Sequence, residues 1–193
     1  MQLIFVRHGR PKVVEGDNDP VLSDAGRSQA EQLAAWLSQR RIERVVSSPM
    51  RRALDTAEPT RKMLGLDLEV VDGLAEVGRG GPGYRGVEEL RKDPVRWANF
   101  LDDPVSFFGG DPIIFRETVL SSVAGLFNSH AVGRTAVFTH GVPINVVISH
   151  VLGLKRVMHF LPHYCSLTRV AGSSLDDLTI ESINETGHLG DWE

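Results

Sequence analysis

The sequence predicts an α/β protein: a three-layer α/β/α sandwich around a mostly parallel central sheet. Short apolar runs alternate along the chain with segments of helical period, the order that builds parallel strands with helices on both faces. Clusters of turn formers separate these segments. A length of 193 residues suits one domain, so we expect a single domain over residues 1–193.

The elements follow in order. Residues 2–6, Gln-Leu-Ile-Phe-Val, read as a short buried strand. The loop at 9–22 carries Gly9, Pro11, Gly16, Asp17, Asn18, Asp19 and Pro20. Ser23 is the expected N-cap of a helix from Asp24 to Arg40, in which Ala30, Leu33, Ala34 and Leu37 recur at helical spacing. Arg44 to Ser47 is a second strand. Ser47-Ser48-Pro49 then opens a helix to about Leu64, with serine as cap and proline in the first turn. Leu66 to Val71 is a third strand. Residues 78–86 are glycine-rich and irregular, and 87–103 are helical but interrupted, with Pro94 and Pro104 as punctuation. A helix from about Pro112 to His130 precedes a fourth strand, Thr135 to Thr139. His140-Gly141 follows, then an apolar helix over 143–153 and strands near 164–170 and 177–183.

Composition excludes several classes. With 41% hydrophobic and 24% charged residues, the chain is not a coiled coil, collagen-like or wholly disordered. A net charge of −4 argues against a nucleic-acid partner. Cys165, the only cysteine, makes no internal disulfide and no multi-cysteine zinc site, and reads as a small buried hydrophobe. No run of about 20 apolar residues is present, so no membrane span or membrane partner is expected. The N-terminal apolar run is short and lacks a basic flank, which points to a cytoplasmic protein. The sequon Asn184-Glu185-Thr186 is then a chance match.

The chemistry concentrates where strands end. In parallel sheets, ligands bind at the carboxyl ends of the strands. Two strands here end in His-Gly: Arg7-His8-Gly9 and His140-Gly141. Glycine lets a ligand approach the backbone closely, and the glycine N–H can face it. The second strand leads to a helix N-terminus, which favours anions, with Arg51 and Arg52 in its first turn. Arginines and histidines at one rim make a dianion site. A neutral imidazole among cations can attack phosphorus, giving a phosphohistidine that water releases. The leaving alkoxide then needs a proton, and Glu76 is the best-placed carboxylic acid, with Asp72 its rival.

Four segments resemble the histidine phosphatase superfamily, the phosphoglycerate mutase-like family. They are Arg7-His8-Gly9, the run from Leu22 to Ala30, the run from Ser47 to Ala57, and Thr139-His140-Gly141. The resemblance implies a phosphoglycerate mutase-like fold and a catalytic domain hydrolysing a small phosphate ester without metal or other cofactor. It implies that His8 is the phosphorylated nucleophile, with Glu76 as proton donor. Arg7 and Arg52 would clamp the phosphoryl group, and His140 would be a further contact. Gly9, Gly141 and Arg10 complete the expected binding set. Arg10-Pro11-Lys12 departs from the acidic residue, Thr and Asn that many members carry there, and adds cations at the mouth. Lys12, Arg79, Tyr84, Arg85 and Arg116 are weaker candidates for the mouth.

Alternatives stay open at this point. One is a mutase that passes the phosphoryl group to an acceptor. Another is a module that binds a phosphorylated ligand without cleaving it. A metal site at His8 and His140 ranks last, because the flanking arginines would repel a divalent cation. His159 and His163 have metal-ligand spacing, but Pro162 lies between them. Asp17-Asn18-Asp19 lacks the glycine and later glutamate of a calcium loop and reads as a turn. The sequence leaves the oligomeric state open.

Overall fold

Period-2 alternation fixes which side of the sheet each strand residue serves. On the first strand, β1 (Gln2–Arg7), Leu3 and Phe5 join one core while Ile4 and Val6 join another. A computed structural model of the chain describes residues 1–80, 86–127 and 133–190. Helix α1 (Asp24–Ser38) follows, then β2 (Ile42–Ser47), α2 (Arg51–Leu64) and β3 (Leu68–Val70). A short stretch contains α3 (Val87–Leu90), α4 (Pro94–Asp102) and α5 (Pro104–Phe107). Then come α6 (Pro112–Phe127), β4 (Arg134–Thr139), α7 (Gly141–Val151), β5 (Leu167–Ala171) and β6 (Thr179–Glu185).

The strands form one sheet in the order β3-β2-β4-β1-β5-β6. The first three pairings in that order are parallel and the last two antiparallel. Helices cover both faces, so the expected three layers are present. Leu33, Leu37 and Ala57 from α1 and α2 pack with Ile4, Val6, Val45, Ala136 and Phe138. Val119, Val123 and Leu126 from α6, with Ile144 and Val147 from α7, pack with Leu3, Phe5, Val46 and Val137. Among the described residues no helix is long and apolar enough to cross a membrane.

Local signals worked where a side chain could act on its own helix. Ser23 caps α1, its hydroxyl accepting from the Gly26 N–H at 3.1 Å. Asp93 and Asp103 cap the two proline-led helices α4 and α5, which is why 87–103 breaks into pieces. The expected Ser-Pro start of α2 is not found. That helix begins at Arg51, and its cap residue Met50 offers no side-chain hydrogen bond. Ser48 and Pro49 lie ahead of it, and the Ser48 hydroxyl accepts from the Met50 N–H at 3.3 Å and meets the His140 ring.

Other boundaries shifted for visible reasons. Helix α7 starts at Gly141, earlier than the apolar run suggests, because His140 itself is the cap residue. Strand β5 starts at Leu167 rather than 164, because Cys165 takes a left-handed φ of 56° with its N–H on the Arg7 carbonyl. The last residues of the helix expected over Pro112 to His130, 128–130, lie outside the described residues.

Two glycines bring the 9–22 loop onto α1. A Cβ on Gly9 would lie 2.7 Å from the Gly26 carbonyl oxygen, and one on Gly26 would lie 2.1 Å from the Arg10 carbonyl oxygen. The backbones touch where no side chain fits. An alanine at Gly26 gains about 1 kcal/mol of helix propensity. It also forces a backbone clash of the kind that costs about 1–3 kcal/mol or more. We expect Gly26→Ala to lose up to about 2 kcal/mol net in urea unfolding. A gain of about 1 kcal/mol would mean that the loop yields without cost.

Candidate active site

Register puts the two histidines together. Arg7 at the end of β1 pairs with Thr139 at the end of β4, so His8 and His140 leave the sheet side by side. Their ring centroids are 5.1 Å apart, and the His8 N–H donates to the Thr139 carbonyl at 3.0 Å. The Ser48 N–H donates to the Phe138 carbonyl at 2.9 Å, which draws the chain after β2 to the same rim. Arg52, the second residue of α2, reaches in and is only 1% exposed.

The hydrogen bonds of His8 fix its tautomer. Nδ1 lies 2.8 Å from the Gly9 carbonyl oxygen, which can only accept, so Nδ1 carries the proton. Nε2 keeps its lone pair, and the Arg52 Nε–H donates to it at 3.2 Å. Burial pushes the His8 pKa well below its usual value, helped by the Arg52 and Arg7 charges and opposed by the Gly9 carbonyl. His140 is depressed in the same way, first by burial, then by Arg52, His8 and Arg7. Both rings are therefore neutral at neutral pH.

Around them sit groups of fixed orientation. His140 Nε2 lies 2.7 Å from Ser48 Oγ. Its Nδ1, like Arg7 Nε, is buried without a partner among the described residues. Orphaned buried polar atoms are rare and mark places where a ligand can supply the missing bond. Arg7 donates from Nη1 to the Pro162 carbonyl at 2.5 Å, and its guanidinium lies 3.9 Å from the Tyr164 ring centroid.

Glu76 follows the 3-10 turn Asp72–Leu74. Its carboxylate accepts from the Val77 N–H at 3.0 Å and from the Val142 N–H at 3.4 Å, the latter in the first turn of α7. Burial raises its pKa, against the pull of Arg52, the two N–H groups and Arg7. Gly141 adjoins it, since a Cβ there would lie 4.0 Å from Glu76 Oε2. Asp72, the rival, is exposed and paired with Arg79. The fold brings Glu76 to the cluster and leaves Asp72 at the surface.

Not every expected residue faces the rim. The Gly9 N–H donates to Thr56 Oγ1 at 2.9 Å, so it does not point at a ligand, and this glycine serves close packing instead. Arg10 is exposed, and its guanidinium pairs with no carboxylate among the described residues. Its backbone is what the fold uses, with the N–H on Gln29 and the carbonyl on Ser23. Tyr84 and Arg85 lie outside the described residues. Ser48 and Tyr164 were missed. Ser48 reads in sequence as a helix cap, and nothing in a lone tyrosine before Cys165 signals that its ring will lie 5.6 Å from that of His8. Among the described residues, no three His, Cys, Asp or Glu side chains gather as a metal set.

The chain is similar to known proteins. A sequence model of the family described as "Histidine phosphatase superfamily (branch 1)" matches residues 3–186. Phosphoserine phosphatase 1 of Hydrogenobacter thermophilus is 27% identical, over 100% of this chain and 96% of its own length. A probable phosphoglycerate mutase of Escherichia fergusonii is 25% identical, over 98% of this chain and 95% of its own length. Among solved structures, a mycobacterial glucosyl-3-phosphoglycerate phosphatase complexed with VO3 superposes with a TM-score of 0.78. It is 23% identical, and the match covers 96% of this chain and 99% of that one. Phosphoserine phosphatase from Entamoeba histolytica, in complex with 3-phosphoglyceric acid, gives 0.76 at 24% identity, covering 97% and 98%.

The neutral histidines have a cost in acid. Their folded pKa values lie below the unfolded value of about 6.5, so the unfolded chain takes up protons first as pH falls. Their contribution to stability is complete above about pH 6.5 and is lost progressively below it. We expect Tm in phosphate-free buffer to fall from pH 7 to pH 5, and to fall less steeply in a His8→Asn, His140→Asn double variant. An equally steep fall in the double variant would place the acid sensitivity elsewhere.

Proposed function

The chain belongs to the histidine phosphatase superfamily, and from that premise we propose that it hydrolyses small phosphate monoesters through a phosphohistidine at His8 Nε2. The observation that carries the proposal is the tautomer of His8. Its proton is committed to the Gly9 carbonyl, and its lone pair meets the Arg52 Nε–H. Oxygens of an incoming phosphoryl group can take that N–H, leaving Nε2 in line with phosphorus.

The uncatalysed reaction is among the slowest known, so the site must supply roughly 20 kcal/mol or more. Arg7, Arg52 and the N–H of His140 are assigned to the equatorial oxygens, where placed positive charge does most of the work. The two guanidiniums supply charge that a divalent metal brings elsewhere, and would repel such an ion. Nε2 attacks phosphorus, and the ester P–O bond breaks. The departing oxygen takes the proton of Glu76, whose raised pKa keeps a fraction protonated. The Glu76 carboxylate then takes a proton from water as that water attacks the phosphohistidine. Inorganic phosphate leaves, and His8 and Glu76 return to their starting states. Gly141 keeps the wall beside Glu76 low. Relatives named for phosphoserine and glucosyl-3-phosphoglycerate support small metabolite esters as the substrate class.

The test is phosphate release from an aryl phosphate and a panel of alkyl metabolite phosphates, in EDTA. We expect His8→Ala to lower the rate at least about 10³-fold. Glu76→Gln should cost about 10²–10⁴-fold on alkyl esters, whose leaving group needs a proton, and far less on a nitrophenyl ester. Asp72→Asn should match wild type. A bell-shaped kcat/KM profile should fall in acid as His8 protonates and fall toward alkali as Glu76 ionises, the alkaline limb being absent in Glu76→Gln. Isomerised ester in place of free phosphate would make the enzyme a mutase, and a His8→Ala variant as fast as wild type would end the proposal.

A further inference from the structure

We propose that Asp19 is a positioning residue for Arg52, so that the 9–22 loop sets how the site grips a phosphoryl group. The inference rests on the function proposed above and goes beyond it, to a residue outside the cluster of strand-end groups. Four contacts carry it. Both Asp19 carboxylate oxygens accept from the Arg51 N–H at 3.0 Å. Asp19 Oδ1 also accepts from Arg52 Nη1 at 3.3 Å. The Asp19 N–H donates to Asp17 Oδ1 at 3.0 Å, which closes the turn that presents the carboxylate. The outer pair, Asp17 with Arg51, is looser at 3.8 Å.

The local sequence of α2 explains why such a residue is needed. Met50 stands where a capping side chain belongs and supplies none. The helix N-terminus is capped instead from Asp19 on the 9–22 loop. The same carboxylate then fixes Arg52, whose guanidinium is planar and rigid. With Nε directed at His8 and Nη1 at Asp19, both the plane and the rotation of the group are set. An anion beside a phosphate site repels the ground-state ligand. Its presence there is intelligible as orientation, which counts for more in the transition state than in binding.

That division gives a signature that loss of folding does not imitate. In Asp19→Asn an amide oxygen can still cap the Arg51 N–H, while the charge facing Arg52 is gone. We expect Tm to stay close to that of wild type, and kcat on an aryl phosphate to fall roughly tenfold to a hundredfold. KM and the inhibition constant of inorganic phosphate should be unchanged or lower. Asp19→Ala should show the same loss of kcat with a lower Tm, Asp19→Glu should restore part of kcat, and Asp17→Asn should match wild type. An Asp19→Asn enzyme with wild-type kcat, or with a higher KM and unchanged kcat, would overturn the inference.

A second readout does not need turnover. In protein labelled with 15N-arginine, the Arg52 Nε–H resonance, assigned by its loss in Arg52→Lys, should be sharp in wild type. It should be broadened or shifted in Asp19→Asn. An identical resonance in both would sink the positioning role even if no ester is cleaved. Absence of phosphate release from wild type with the resonance changed would fault the proposed reaction and leave the positioning intact.

Discussion

Everything at this site depends on the burial of Arg52 against two imidazoles. A guanidinium holds its charge under any ordinary condition. Once it is 1% exposed, its neighbours must adapt to it. His8 and His140 answer by staying neutral, since protonation would add charge to a volume that cannot solvate it. Glu76 answers in the opposite sense: burial favours its acid form, while Arg52 pulls it toward the carboxylate. Burial and the buried cation act together on the imidazoles, whereas Glu76 leans to its acid form through burial alone, against that cation.

The sheet makes that burial possible. Parallel pairing of β1 with β4 and of β4 with β2 brings three strand ends to one rim. Because Arg7 faces Thr139 in register, the spacing of the two rings is a property of the ladder rather than of loops. The antiparallel β5 then closes the other flank of β1 and turns through Cys165, placing Tyr164 under the Arg7 guanidinium. Rigid elements thus hold His8, His140 and Arg7, while Glu76 and Asp19 come from irregular segments.

What could be read in the sequence followed this division. The strand-end histidines, the arginine early in α2 and the order of strands and helices are encoded locally, in apolar runs, helical spacing and His-Gly steps. Asp19 was legible only as a turn former, because its partners on α2 are remote in sequence and no local pattern marks that meeting. Ser48 was misjudged for a related reason. Serine before proline looks like a cap, and the competing partner, the His140 ring, is equally remote in sequence. Glu76 is half-buried at the cluster and Asp72 exposed, a difference that depends on how the chain packs after β3. Gly9 reads in sequence as room for a ligand, but what approaches it is the backbone of Gly26.

The borrowed cap on α2 has a consequence for how the chain opens. A helix that carries its own cap can keep its first turn while neighbouring loops fluctuate. Here the first turn and the 9–22 loop share one carboxylate, so neither can detach alone. Local opening of the loop would uncap α2 and free Arg52 Nη1 from Asp19 in the same event, joining these parts into one cooperative unit. Amide hydrogens at Arg51 and in the loop would then exchange with solvent as a group, and each such opening would leave the pocket briefly disarmed.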